Sequence, residues 1–130
     1  MRSVLLVEND PDLCLTLGDI LQATGYQVLS AEHGAAALPL IRASPDAFIV
    51  LIEDSLPQMD GQHLLAALAA IPDLVQRHAY LFLTTRSNAL PPSLTALLQQ
   101  LQVGIVGMPF DLDDFLHAVA AAARHLDAPA

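Results

Sequence analysis

The sequence predicts an α/β domain built on a five-stranded parallel sheet. Short apolar runs alternate along the chain with segments of helical periodicity, which is the pattern of repeated strand–helix units. The runs Ser3–Val7 and Ala47–Ile52 are apolar without interruption, as expected for strands that helices cover on both faces. The length of 130 residues suits a single domain with a substantial core.

Five strands and five helices are expected to alternate from the N-terminus. The strands are Ser3–Val7, Tyr26–Ser30, Ala47–Ile52, Tyr80–Thr84 and Val103–Val106. The helices cover residues 11–24, 33–43, 61–71, 93–101 and 112–126. Each predicted strand is a short apolar run, and each helix carries apolar residues three or four positions apart.

Capping residues, glycines and prolines mark the helix boundaries. The Asp-Pro pair at residues 10–11 and Asp111 are typical N-terminal signals, and Gly25 is typical of a helix end. Pro39 lies inside the second helix and is expected to kink it, whereas Pro72 is expected to end the third. Residues 1–126 therefore form one predicted domain, and residues 127–130 a tail or the start of a linker.

The charge composition excludes several classes of function. Fourteen acidic residues stand against five arginines, with no lysine, and give a net charge of −9. A nucleic-acid surface needs clustered cations, so we expect neither a nucleic-acid partner nor binding to anionic membranes. No apolar stretch is long enough to span a bilayer, and the N-terminus runs directly into a strand without a signal peptide. The single cysteine, Cys14, cannot form an internal disulfide, which favours a cytoplasmic location.

Polar residues follow several of the predicted strands, at the edge of the sheet where parallel α/β proteins place their functional sites. Glu8-Asn9-Asp10 follows the first strand and Glu53-Asp54-Ser55 follows the third. Thr84 ends the fourth strand, and Met108-Pro109 comes just after the fifth. This acidic group is the candidate site for chemistry in the sequence.

Four stretches resemble the receiver domains of bacterial two-component response regulators. They are residues 4–11 (VLLVENDP), 46–61 (DAFIVLIEDSLPQMDG), 81–84 (LFLT) and 108–111 (MPFD). Their order and spacing match over nearly the whole chain. The resemblance implies a doubly wound, flavodoxin-like (βα)5 fold of the CheY-like superfamily, with strand order 2-1-3-4-5.

The resemblance also implies roles for individual residues. In such receivers an acidic pair and an aspartate hold Mg²⁺, the aspartate accepts a phosphoryl group, and a hydroxyl, an aromatic residue and a lysine respond to it. Glu8 matches the first acid and Thr84 matches the hydroxyl. The remaining positions carry Asn9 for the second acid, Glu53 for the phosphoacceptor four residues before Pro57, Ile105 for the aromatic residue, Met108 for the lysine and Pro109 for a cis-proline.

The changed positions argue against phosphorylation. Glu53 is one methylene longer than aspartate, and a misplacement of about 1 Å can cost ~100-fold in rate. Asn9 removes an anionic metal ligand, and Met108 cannot place a positive charge on phosphoryl oxygens. Arg86, on a loop, is expected to be a poor substitute. We therefore expect no cofactor, and weak Mg²⁺ binding to Glu8 and Glu53 at most.

Two hypotheses about function follow, and a third is discarded. The first is a pseudo-receiver, not an enzyme, that contacts a partner protein or its own effector domain through the fourth helix, fifth strand and fifth helix. The run of leucines at residues 94–101 makes a homodimer through this face possible. The alternative is a slow self-phosphorylating receiver of a phosphorelay, using Glu53 or Asp54 with Mg²⁺. A flavin or nucleotide carrier is excluded because the acidic loop after the first strand repels phosphate.

Several side chains have more than one interpretation. Glu53 either mimics a phosphorylated aspartate, by extending its charge toward Thr84, or fills the position without a signalling role. Asp54 is expected to point away from Glu8, because successive strand residues face opposite sides of a sheet. Cys14 is interpreted as a packing residue. The histidines show no metal-binding spacing and are interpreted as solvated or core-edge residues: His33, His63, His78, His117 and His125.

Overall fold

The computed structural model describes residues 2–127 and contains one parallel sheet. The strands are β1 (Ser3–Val7), β2 (Gln27–Ala31), β3 (Phe48–Glu53), β4 (Ala79–Thr84) and β5 (Gly104–Gly107). They lie in the order β2-β1-β3-β4-β5, and all four neighbouring pairs are parallel. The predicted fold class and strand order are confirmed.

Six helices cover the two faces of the sheet in the described part of the chain, one more than the sequence predicted. They are α1 (Pro11–Ala23), α2 (Gly34–Ala43), α3 (Gly61–Ala69), α4 (Pro72–Arg77), α5 (Pro92–Gln100) and α6 (Leu112–Asp127). The additional helix is α4, so the predicted fourth and fifth helices are α5 and α6. Pro72 does not simply end the preceding helix, because its fixed φ and missing N–H also suit the first residue of a new one.

The C-terminal boundary also differs from the prediction. Helix α6 includes Asp127, which was assigned to the tail, and the side chain of Asp127 forms an ion pair with Arg2. The rest of the predicted tail, residues 128–130, lies outside the described residues.

The apolar strands are explained by two hydrophobic clusters, one on each face of the sheet. Val50 packs in the cluster beneath α2, α3 and α5, whereas its neighbour Leu51 packs in the cluster beneath α1 and α6. Because alternate strand residues enter opposite clusters, every position of β3 from Phe48 to Ile52 is buried.

Three of the four leucines at residues 94–101 belong to this core, so the run leaves little apolar surface for a partner. Leu94, Leu98 and Leu101 are buried, and only Leu97 is half-buried. Residues 94, 97, 98 and 101 follow the spacing of a single helix face, so the four leucines form one stripe that faces the sheet. The run therefore gives no evidence for a dimer interface.

One histidine is a structural part of the core. The backbone N–H of Phe48 donates to Nδ1 of His78 at 2.9 Å, so the proton must lie on Nε2, which is 3.1 Å from the carbonyl oxygen of Ile41. Burial is the main cause of the lowered pKa of His78. The neutral ring thus connects the end of α2 to the start of β3.

Among residues 2–127, no helix is both long and apolar enough to cross a membrane.

Candidate functional site

Two glutamates meet at the C-terminal edge of the sheet, where β1 and β3 lie side by side. Glu8 directly follows β1, and Glu53 is the last residue of β3, next to Ile52, which pairs with Val7. Glu8 is only 4% exposed and is oriented by the backbone N–H of Asp10, which donates to its Oε1 at 3.0 Å. The register of the two strands therefore brings the carboxyl groups of Glu8 and Glu53 together.

The two carboxyl groups lack a positive partner. One oxygen of each, Oε2 of Glu8 and Oε2 of Glu53, is buried and receives no hydrogen bond from the residues described. The pKa of Glu53 is raised to about 8. The largest cause is burial, followed by a hydrogen bond with Glu8 and by charge repulsion from Glu8. At neutral pH, Glu53 therefore retains a proton, which it can donate to Glu8.

The neighbouring aspartate has the opposite environment. Thr84 is fully buried at the end of β4, and its hydroxyl donates to Oδ2 of Asp54 at 2.8 Å. The guanidinium of Arg86 binds both carboxylate oxygens, with Nε 2.6 Å from Oδ2 and Nη2 2.9 Å from Oδ1. Arg86 is the main cause of the lowered pKa of Asp54, and the Thr84 hydroxyl lowers it further. Asp54 is thus ionised and held on both oxygens.

These contacts bear on two interpretations of the sequence. The hydroxyl of Thr84 binds Asp54 and not Glu53, and Arg86, which was expected to be a poor substitute for a lysine, binds Asp54 directly. Asp54 thus contacts Thr84 and Arg86, whereas Glu53 lies against Glu8. Sequence reasoning undervalued Arg86, although a lone cation two residues after the hydroxyl was a usable signal.

The other two polar residues after β1 point outward. Asn9 and Asp10 are both exposed. Oδ1 of Asp10 accepts the backbone N–H groups of Asp12 at 3.0 Å and Leu13 at 3.4 Å, so this carboxylate caps α1. The acidic pocket predicted from Glu8, Asn9 and Asp10 therefore places only one buried carboxylate beside Glu53.

The donor set does not fit a Mg²⁺ site of the kind that the resemblance implies. Mg²⁺ requires several oxygen ligands in near-octahedral geometry, and ligands that bind it must be deprotonated. Here an exposed Asn9 stands in place of the second acid, and Arg86 binds both oxygens of Asp54, so only Glu8 and Glu53 are left as carboxyl ligands. Within residues 2–127 no group of three or more His, Cys, Asp or Glu side chains is arranged to hold a metal ion.

The positions that follow β5 are apolar. Met108 donates its backbone N–H to the carbonyl oxygen of Thr84 at 2.7 Å, and its side chain packs against the hydrophobic cluster beneath α1 and α6. Ile105 lies on β5 and is 46% exposed. The peptide bond between Met108 and Pro109 is cis, as expected from the resemblance. Neither Met108 nor Ile105 offers a polar atom to the carboxyl groups.

Comparisons with known proteins agree with this fold. The response regulator receiver domain family matches residues 4–120. The transcriptional regulatory protein KdpE of Mycobacterium tuberculosis is 30% identical, in an alignment that covers 100% of this chain and 54% of KdpE. GlrR of Escherichia coli, also a transcriptional regulatory protein, is 31% identical over 89% of this chain and 25% of its own length. The chain thus spans about half or less of these curated relatives. A CheY-like receiver domain from Methanospirillum hungatei superposes with a TM-score of 0.81 at 23% identity, covering 98% of both chains.

Proposed function

The chain belongs to the response regulator receiver domain family, and we propose that it is a pseudo-receiver, which signals by contacting a protein and does not depend on phosphorylation. Receiver domains are signalling modules of two-component systems rather than enzymes. The proposed subtype rests on the chemistry of this chain's own site. The proposed cellular location is the cytoplasm.

The observation that carries the proposal is the buried carboxyl pair of Glu8 and Glu53. A phosphoacceptor must be an ionised nucleophile with a cation near the incoming phosphoryl oxygens. Glu53 retains its proton at neutral pH, and Met108, which is half-buried against the hydrophobic cluster, supplies no charge. Asp54, the ionised carboxylate nearby, already has both oxygens bound.

Treatment with acetyl phosphate and Mg²⁺ tests the proposal. We expect no phosphoryl adduct by intact-mass spectrometry, and no saturable amide NMR shifts with beryllofluoride and Mg²⁺. The same samples without Mg²⁺ are the control. A Mg²⁺-dependent adduct, or shifts spreading from Glu53 through Thr84 to Ile105, would contradict the proposal.

One observation favours a second candidate, a slowly self-phosphorylating receiver that uses Asp54. Asp54 contacts a hydroxyl and a cation, the two groups that stabilise a bound phosphoryl group. Asp54→Asn would then abolish any phosphoryl labelling by acetyl phosphate, whereas Glu53→Gln would leave that labelling unchanged. Labelling that depends on Glu53 instead would point to the position implied by the resemblance.

We propose the face formed by α5, β5 and α6 as the contact surface for a partner protein, an effector domain or a second copy. Ile105 is exposed and Leu97 half-buried on this face. Ile105→Glu and Leu97→Glu are expected to abolish any self-association in sedimentation, with about 1 kcal/mol or less lost in urea unfolding. Leu94→Glu, which places a charge at a fully buried position, is expected to cost at least ~4 kcal/mol. A chain that sediments as the same monomer with and without the surface changes would exclude the homodimer.

A further inference from the structure

The loop that joins β4 to α5, residues 85–91, is tied to the sheet by a small hydrogen-bonded group. We call the side chains of Asp54, Thr84 and Arg86 the Asp54 clamp. The hydroxyl of Thr84 donates to Asp54 at 2.8 Å and accepts the backbone N–H of Arg86 at 3.1 Å. Both hydrogen-bonding roles of this buried hydroxyl are therefore filled by groups of the chain itself.

Arg86 closes the clamp at two points. Its backbone N–H binds Thr84, and its guanidinium binds both oxygens of Asp54. The side chain of Asp54 is only 14% exposed, so this ion pair is largely shielded from water on the acidic side. Paired N–H···O bonds from a guanidinium to a carboxylate fix orientation as well as distance. The first residues of the loop consequently have one preferred position.

The clamped loop rests on β5. A Cβ atom added to Gly107 would lie 2.9 Å from Oγ of Ser87, so the loop and the strand approach closely at this glycine. The next turn of the loop is closed by a hydrogen bond of 2.9 Å from the backbone N–H of Ala89 to the carbonyl oxygen of Arg86. The loop that carries Arg86 therefore contacts β5 at Gly107, two residues from Ile105.

We propose that the Asp54 clamp is a built-in lock, which holds the β4–α5 loop against β5 without an added phosphoryl group. The inference rests on the proposed function and gives its structural basis: Asp54 supplies the negative oxygen that binds the hydroxyl of Thr84, and Arg86 supplies the cation. The lock fixes the shape of the contact surface at β5. Regulation then comes from a partner that favours the locked or the open loop.

Amide hydrogen exchange of the full chain, with no phosphodonor or metal added, tests the lock. The probes are the amides of Arg86 and Ala89, whose hydrogen bonds depend on the loop position. Arg86→Gln and Asp54→Asn are each expected to speed exchange at both amides by about tenfold or more. Arg86→Lys should retain more protection from exchange than Arg86→Gln does, because lysine keeps the positive charge but not the paired hydrogen-bond geometry.

Two further variants separate a local lock from general loss of stability. Asp73→Asn removes an exposed aspartate paired with Arg77 and should leave exchange in the loop unchanged. Gly107→Ala displaces Ser87 without touching the clamp, and should speed exchange at Ala89 more than at Arg86. If the loop does not rest on β5, this variant will leave both amides as they are.

A double-mutant cycle decides the matter. If the lock exists, Asp54→Asn combined with Arg86→Gln will resemble either single variant, because each already opens it. Additive effects, or single variants within twofold of the unmodified chain, would overturn the lock. That result would leave the phosphate-independent function standing, since the labelling experiment alone decides it.

Discussion

A chain with Asn9→Asp, Glu53→Asp and Met108→Lys is expected to accept a phosphoryl group from acetyl phosphate at least ~100-fold faster than the unmodified chain. Each change reverses one departure from the receiver pattern. Asn9→Asp adds an anionic metal ligand, and Glu53→Asp shortens the acceptor by one methylene. Met108→Lys provides a cation for the phosphoryl oxygens. The rate of adduct formation, followed by intact-mass spectrometry with saturating Mg²⁺, measures the gain.

The matched control keeps the two supporting changes and removes the acceptor. Asn9→Asp and Met108→Lys combined with Glu53→Asn should form no adduct. Labelling of this control would show that another residue, with Asp54 the first candidate, accepts the group. Failure of the triple variant to label at all would mean that the lost reactivity has a cause other than these three positions.

Glu53→Gln is expected to make the domain more stable above neutral pH and to flatten the dependence of its stability on pH. The folded chain raises the pKa of Glu53 from 4.5 to about 8, so the folded state binds the proton more tightly than the unfolded state does. The associated stability is fully present below pH 4.5 and is lost as the pH rises through about 8. Glutamine keeps a hydrogen-bond donor toward Glu8 without an ionisable proton.

The size of the effect is limited by solvent. A pKa difference of one unit corresponds to about 1.4 kcal/mol, but Glu53 is partly exposed and water screens its charge. We therefore expect a gain of about 1–2 kcal/mol above pH 8, from urea unfolding at several pH values. Glu32→Gln, which changes an exposed glutamate, is the control. An unchanged pH profile in Glu53→Gln would mean that the buried pair does not retain a proton.

Three side chains at or near the site have partners within the fold. Met108 packs against the hydrophobic cluster beneath α1 and α6, Asp10 caps α1, and Asp54 is held by Arg86 and Thr84. These contacts use the groups that would otherwise be free to meet a metal or a phosphoryl group. The fold and its site are therefore separable, since the sheet is intact while the chemistry of its edge has changed.

The sequence by itself determined the architecture. Uninterrupted apolar runs, helical spacing and caps such as Asp10 are local signals, and all five strands and five of the six described helices were found from them. The additional helix α4 was missed because Pro72 has two local meanings, the end of one helix and the start of another. Among site residues, the positions of Glu8, Glu53 and Thr84 at the edge of the sheet follow from strand order alone.

Only the tertiary structure decided which side chains meet. The sequence shows Glu53 and Asp54 as adjacent acids. In the folded chain Glu53 lies against Glu8 and has a raised pKa, whereas Asp54 binds Arg86 on the next loop. Leu94, Leu98 and Leu101 likewise became core residues once the sheet beneath them was placed. Local patterns follow from backbone geometry and burial, which neighbouring residues specify. The ion pair between Asp54 and Arg86 depends on loop positions that are set by contacts between distant parts of the chain.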